Sequence, residues 1–199
     1  FARAVRRARL PLSYTRGFNP RPRLSFAAPL PVGMKGDQEY ADLELEEELP
    51  VDEVSRRIRR SLPPGLQVLR VRRVPDGGPA LMSVLDRARY VCCGPLTANL
   101  TLAEVEERLA SFLNRGEILS VRREGEKPRD IRPGIKSVTA RISDGTISLA
   151  MELKAGSRGN VRPEELLGVL REFLPIEPAS FTITRTALIA KDGKLLWDC

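Results

Sequence analysis

The chain has 199 residues, 42% of them hydrophobic and 30% charged, with 33 Lys and Arg against 26 Asp and Glu and no histidine. The lack of histidine excludes a His-activated nucleophile or a His-ligated metal within the chain, and no apolar run approaches the roughly 18 residues that a membrane span needs. Three cysteines, two of them adjacent at Cys92 and Cys93, give neither a disulfide framework nor a zinc-type spacing; with no signal-peptide pattern at the start, the expected location is the cytoplasm.

"FARAVRRARL" places Phe1, Val5 and Ala8 on one face with arginines around the rest, which predicts a helix. Pro11 and the turn-rich "SYTRGFNPRP" end it, and "RLSFAAPLPVG" reads as an irregular edge strand interrupted by Pro29 and Pro31. In "YADLELEE", Ala41, Leu43 and Leu45 alternate strictly with Asp42, Glu44 and Glu46, which predicts a strand with one core face and one wet face. "PVDEVSRRIRRSL" carries Val51, Val54 and Ile58 on one stripe, acids in its first turn and arginines in its last, as the helix dipole favours. "PPG" stops that helix, and "LQVLRVRRV" reads as a further strand.

Beyond "PDGG" at 75–78, "RARYVCC" predicts a strand and Thr101 opens a helix, its spacing to Glu104 making a capping box. Leu102, Val105, Leu109 and Phe112 form the buried stripe of that helix, and "EILSVRRE" returns as a strand. "SVTARISDGTISLAMEL" reads as a hairpin turning on Asp144 and Gly145. Pro163 starts a helix carrying Leu166, Leu170, Phe173 and Leu174; "SFTITRTALIA" is a strand, and "KDGKLLWDC" turns back as a final short one.

Helix, strand, strand, helix, strand is one member short of the β-α-β-β-α-β ferredoxin-like unit, and the first helix has no N-cap residue ahead of it. The expected fold is therefore α+β with two ferredoxin-like halves. A basic N-terminal half spans 1–74 and lacks its first strand, a linker spans 75–87, and a C-terminal half with an inserted strand spans 88–199.

Residues 1–36 hold eight basic side chains and no acid, leaving 25 bases against 26 acids in the remainder. Such a block attracts phosphate backbones or an acidic protein face. In the turn-rich stretch, prolines stiffen the chain and Gly17 lets it turn, so Arg16, Arg21 and Arg23, with Asn19 and Tyr14, form the first candidate RNA-binding group. Single-stranded RNA readers combine arginines on phosphates with an aromatic ring on an unpaired base, a part open to Tyr14 or Phe18. Phe18 and Phe26 are nevertheless expected to anchor the loop in the core, the usual fate of isolated aromatics beside strands. "KAGSRGNVRPEE" puts Gly156 and Gly159 ahead of a helix N-terminus, where free N–H groups and the dipole favour an anion, and makes Arg158, Asn160 and Arg162 the second group. "KPRDIRPGIK" adds Arg129, Arg132 and Lys136 to the same face, unless Asp130 pairs locally with one of them.

"LPLSYTRGFNPRPRLSFAAPLPVG", "EYADLELEE", "GSRGNVRPEELL" and "TRTALIAKDG", in that order, resemble the bacterial radical-SAM-linked family of domains of unknown function, over nearly the whole chain. Members of that family begin with a strand and an "SHLD"-like helix start ahead of the position of Phe1, a segment this sequence lacks. They are encoded beside, or fused to, a radical-SAM iron–sulfur protein, so the resemblance implies that partner. The chain lacks the CxxxCxxC loop that holds a radical-SAM cluster, and Cys92 and Cys93 fall on opposite faces of a strand, so cluster chemistry belongs to the partner. No cofactor or metal is expected here, and no catalytic residue is assigned. The basic GF-x-P-x-P loop on a ferredoxin-like plan is also analogous to RNA-binding folds that process CRISPR repeats. The expected function is an RNA-binding accessory module that presents tRNA or rRNA to the radical-SAM partner. The alternatives are a protein-docking subunit whose basic block meets an acidic face of that partner, and a metal-independent ribonuclease, weakened by the missing histidine.

Overall fold

In the computed structural model, which describes residues 1–75, 77–122 and 125–198, helix α1 (Ala2–Arg7) forms where apolar side chains keep to one side of an arginine-rich run. Val5 and Ala8 are buried, while Arg3, Arg6 and Arg7 stay exposed. Arg9 adopts a left-handed φ of 51° just past the helix, and Arg57 donates to its carbonyl at 3.0 Å. The chain runs on to strand β1 (Leu24–Phe26), then contributes β2 (Lys35–Gly36) to a different sheet before returning as β3 (Ala41–Leu43). β1 and β3 pair antiparallel, Leu24 opposite Leu43 and Phe26 opposite Ala41. Helix α2 (Val51–Ser61) starts behind Pro50, turns Val54 and Ile58 inward, and completes a small core with Val5, Ala8, Leu10 and Leu12.

The strand expected at 66–74 does not form: among the described residues this stretch enters no ladder. Val68, Val71 and Val74 stand three residues apart, so no one face of an extended strand would collect them, and the stretch stays off the open edge of β3. The N–H of Glu44 donates to Arg23 and the N–H of Ala27 to Tyr40, so the even-numbered residues of β3 face β1. The backbone groups of Ala41 and Leu43 point to the opposite edge, where no described strand pairs with them. Val68 and Val71 still pack against the small core, and Arg73 forms an ion pair with Glu48.

The chain forms two compact units, Phe1–Phe26 with Ala41–Leu81, and Ala27–Tyr40 with Met82–Cys199. After the single turn α3 (Leu81–Val84), the second unit runs β4 (Leu85–Pro95), α4 (Leu102–Leu113), β5 (Leu119–Ser120), β6 (Arg129–Asp130), β7 (Ile135–Ser143), β8 (Thr146–Lys154), α5 (Pro163–Leu170) and β9 (Thr182–Ala190). Its main sheet has the order β2-β9-β4-β8-β7, antiparallel throughout except for β2 beside β9. The protein is thus a mixed α+β structure with a mostly antiparallel sheet. Period-two burial along β4 and β8 puts Ala88, Tyr90, Cys92, Leu149, Met151 and Leu153 inside. The helices contribute Val105, Leu109, Phe112, Leu166, Leu167 and Leu170 to the buried set.

The local signals in this unit act as read. Glu104 N–H donates to the Thr101 hydroxyl and Thr101 N–H to the Glu104 carboxylate, the expected capping box. Asp144 and Gly145 take φ of 49° and 72° at the β7–β8 turn. Two expectations change. Within the described part of "EILSVRRE", 117–122, the strand is the two-residue β5, paired with β6, and at its start the Asp130 carboxylate accepts from the N–H groups of Ile118 and Arg132. The final strand is replaced by a 3-10 turn at Leu196–Asp198, where the buried Leu196 draws the chain inward; one bridge, Ile189 to Leu195, remains. Asp76 of "PDGG", Arg123 and Glu124 of "EILSVRRE", and Cys199 lie outside the described residues.

Candidate nucleic-acid interface

The turn-rich basic stretch folds as a hairpin. Thr15 N–H donates to the Arg21 carbonyl at 2.9 Å, Arg21 N–H donates to the Thr15 hydroxyl at 3.0 Å, and Tyr14 bridges to Pro22. Arg23 N–H closes the base by donating to the Ser13 carbonyl at 2.7 Å. That base is tied to the end of β3: Ser13 N–H donates to the Glu44 carbonyl at 2.8 Å and Glu44 N–H to the Arg23 carbonyl at 3.0 Å. Residues 16–20 are left as the tip. Gly17 has a φ of 128°, which a residue with a Cβ rarely adopts, and Pro20 and Pro22 fix the returning arm.

Arg16, Asn19 and Arg21 are exposed on this hairpin, and neither guanidinium has a partner among the described residues. Arg23 differs, since it donates to Glu44 at 3.0 Å. Tyr14 is 44% exposed on the outgoing arm. The expectation that Phe18 and Phe26 anchor the loop is overturned. Phe18 sits at the tip, beyond the last buried residue of the arm, Leu12, and is fully exposed; Phe26 packs edge-on against Phe1, ring centres 5.8 Å apart, and stays 40% exposed. The sequence signal for Phe18 was its setting: turn-forming Gly17 and Asn19-Pro20 flank it, and no apolar residue stands two places away to continue a strand.

Arg158, Asn160 and Arg162 belong to the other unit, all exposed on the connection from β8 to α5. Gly156 is required in that connection: its φ is 102°, and a Cβ there would lie 2.6 Å from the Leu85 carbonyl oxygen. The anion at the start of α5 is the chain's own Glu165. Its carboxylate accepts from the Arg162 N–H at 2.9 Å, from Arg122 at 3.0 Å and from Arg129 at 2.8 Å. Arg122 and Arg129 each donate also to the Asn160 carbonyl, at 2.8 Å. Burial opposes ionisation of Glu165, but these donors outweigh it and hold its pKa below the ordinary value. Arg129 is therefore a fastening. So is Arg132, which donates to the carbonyls of Leu113 and Ile135, while Asp130 takes the Arg132 N–H; Lys136 remains exposed.

A second fastening gave little sign of itself. Arg185 of β9 is 3% exposed and donates to both oxygens of Glu39, at 2.8 and 2.5 Å, and to the carbonyls of Ala28 and Pro29. Burial works against its charge, yet the Glu39 carboxylate and the neighbouring Tyr90 raise its pKa. An arginine at an inward position of "TITRTALIA" is the only trace of this in the sequence.

No group of three or more metal-ligating carboxylates and thiols occurs among the described residues. Burial, aided by the charges of Glu164 and Cys93, pushes the Cys92 thiol up to about 12, and its sulfur lies 3.9 Å from that of Met151. Cys93 turns to the other face, beside the Ser148 hydroxyl. A shallow depression of about 340 Å³ next to α4 contains one acid, Glu104, which already caps the helix. The exposed charge of Arg16 and Arg21, unpaired among the described residues, is suited to holding an anion.

No curated protein matches the chain. Residues 1–163, a stretch that contains the hairpin and the connection before α5, match the family described as an uncharacterized protein conserved in bacteria, DUF2344, and the chain belongs to that family.

Proposed function

We propose that this protein binds RNA through the hairpin at residues 12–23 and presents it to a radical-SAM iron–sulfur partner for modification of tRNA or rRNA. The observation that carries the reading is a stiffened tip on which Arg16 and Arg21 stand without counter-charges, within a stretch of eight bases and no acid. Prolines and main-chain bonds restrain the backbone that carries these arginines, so less main-chain freedom is lost on binding phosphate. The element order β4-α4-β7-β8-α5-β9, with strands arranged β9-β4-β8-β7, supports reading the second unit as ferredoxin-like. The radical-SAM partner rests on the motif resemblance over "LPLSYTRGFNPRPRLSFAAPLPVG" and the three segments that follow it.

Titration of a single-stranded RNA oligonucleotide at increasing salt tests the reading. Each phosphate contact contributes a log-log slope of roughly −0.7, so replacing Arg16 and Arg21 by Ala should flatten the slope by about 1.4. Arg23→Ala should do less, because that side chain already pairs with Glu44. Stability of the double variant should stay within about 0.5 kcal/mol of the parent. RNA binding that is undetectable at low salt rejects the reading and favours a subunit whose basic block docks on an acidic protein face.

A further inference from the structure

We infer that the ligand held by the hairpin is an unpaired nucleotide, its base stacked on Phe18 and its flanking phosphates taken by Arg16 and Arg21; this rests on the RNA reading above. Phe18 is the most apolar side chain of the tip and is fully exposed, with its whole ring available to a partner. Arg16 precedes it by two residues and Arg21 follows by three, on the two arms that the Thr15–Arg21 bonds hold together. The ring is thus presented between two cations. A phosphate-binding loop alone has no use for an aromatic in that place.

A nucleic-acid strand supplies both kinds of partner, a flat π-face with a phosphate on either side. In a duplex the faces of the bases are covered by their neighbours, so the ring would gain nothing there, whereas the arginines would bind either form. Phe18 therefore makes the hairpin discriminate unpaired from paired nucleotides. Asn19, exposed beside the ring, carries an amide with both donors and an acceptor, which suits the edge of the stacked base. Pro20 and the Thr15–Arg21 bonds restrain the chain that carries this pair, while Gly17 permits its turn.

The test uses the full chain, one single-stranded RNA oligonucleotide and a duplex of the same sequence. Phe18→Ala should weaken single-strand binding about 10-fold, the scale of one base–aromatic stack, leaving its salt slope and the duplex affinity unchanged. Phe18→Trp should restore the affinity, with its indole fluorescence quenched by the bound strand beyond the background of Trp197. Circular dichroism should find both variants folded as the parent. If the parent binds the single strand and Phe18→Ala binds it equally well, or loses single strand and duplex alike, the stacking role is wrong while the RNA reading stands. If the parent binds neither RNA, both fall together. Loss of association with the radical-SAM partner in Phe18→Ala, with RNA binding intact, would assign the ring to a protein pocket and overturn the inference.

Discussion

Glu165 shows how much one buried carboxylate can organise. It takes the Arg162 N–H and two guanidinium groups, and through Arg129 and Arg122 it ties the segments around β5 and β6 to the start of α5. Its pKa in the folded protein lies below the ordinary 4.5, so the folded state resists its protonation more than the unfolded chain does. The stability it contributes is complete above that ordinary value and is lost as pH falls through the folded value. Glu165→Gln should therefore destabilise the protein by about 1–3 kcal/mol at neutral pH. The gap between variant and parent should close on acidification, which urea unfolding at pH 7 and near pH 3 would measure. A gap of constant size would mean that packing, and not charge, carries the contribution. The sequence reading placed Arg129 and Arg132 on a ligand face, since a run of cations says nothing about where a buried acid will stand. Asp130 does pair locally, but with the main-chain N–H of Arg132 and not with a neighbouring cationic side chain.

Among the elements, those whose signals are complete within a few residues were readable. The capping box at Thr101 and Glu104 begins α4 where expected, and Asp144-Gly145 closes the β7–β8 hairpin. The basic hairpin was recognisable as a stiff turn from Gly17, Pro20 and Pro22. The fate of Phe18 was not, because burial depends on how far an arm reaches from the core, which composition does not encode. Residues 66–74 illustrate the same limit from the other side. Their valines are strand formers by type, but at a spacing of three they share no strand face, although β3 offers an open edge. Amide exchange separates pattern from pairing: 66–74 should exchange on the timescale of open loops, while β4 and β8, each central in the five-stranded sheet, should be the most protected segments. Protection of 66–74 comparable with that of β4 would show that it pairs with a strand after all.

At the scale of the whole molecule, the basic excess has an address. Arg3, Arg6, Arg7, Arg9, Arg16, Arg21 and Arg23 all belong to the first unit, and Lys35 alone to the second. Why Ala27–Tyr40 joins the second unit could not be read from its local pattern, where Pro29, Pro31 and Gly33 suggest only an interrupted edge. The reasons lie far off in the chain: Lys35 and Gly36 pair with Thr184 and Arg185, and Arg185 reaches Glu39 across 146 residues. Glu39→Ala should leave the buried guanidinium without its counter-ion and cost about 3 kcal/mol, read from the shift in denaturant midpoint. A fragment covering 82–198 should share that weakness and regain stability when a peptide of residues 27–40 is added; indifference to both changes would show that Arg185 finds solvent instead.

The path of the chain through its two units has a genetic corollary. Each unit is assembled from two separated stretches, so the boundary between them is crossed after Phe26, after Tyr40 and again near Leu81. A single recombination joint anywhere in the coding sequence would hand a recipient protein one complete unit only together with a stray piece of the other, or an incomplete unit carrying a buried arginine without its acid. Exchange of the basic unit between lineages would demand matched joints on both sides of Ala27–Tyr40. The hairpin and the five-stranded sheet are consequently expected to travel, diverge and be lost as one inherited block.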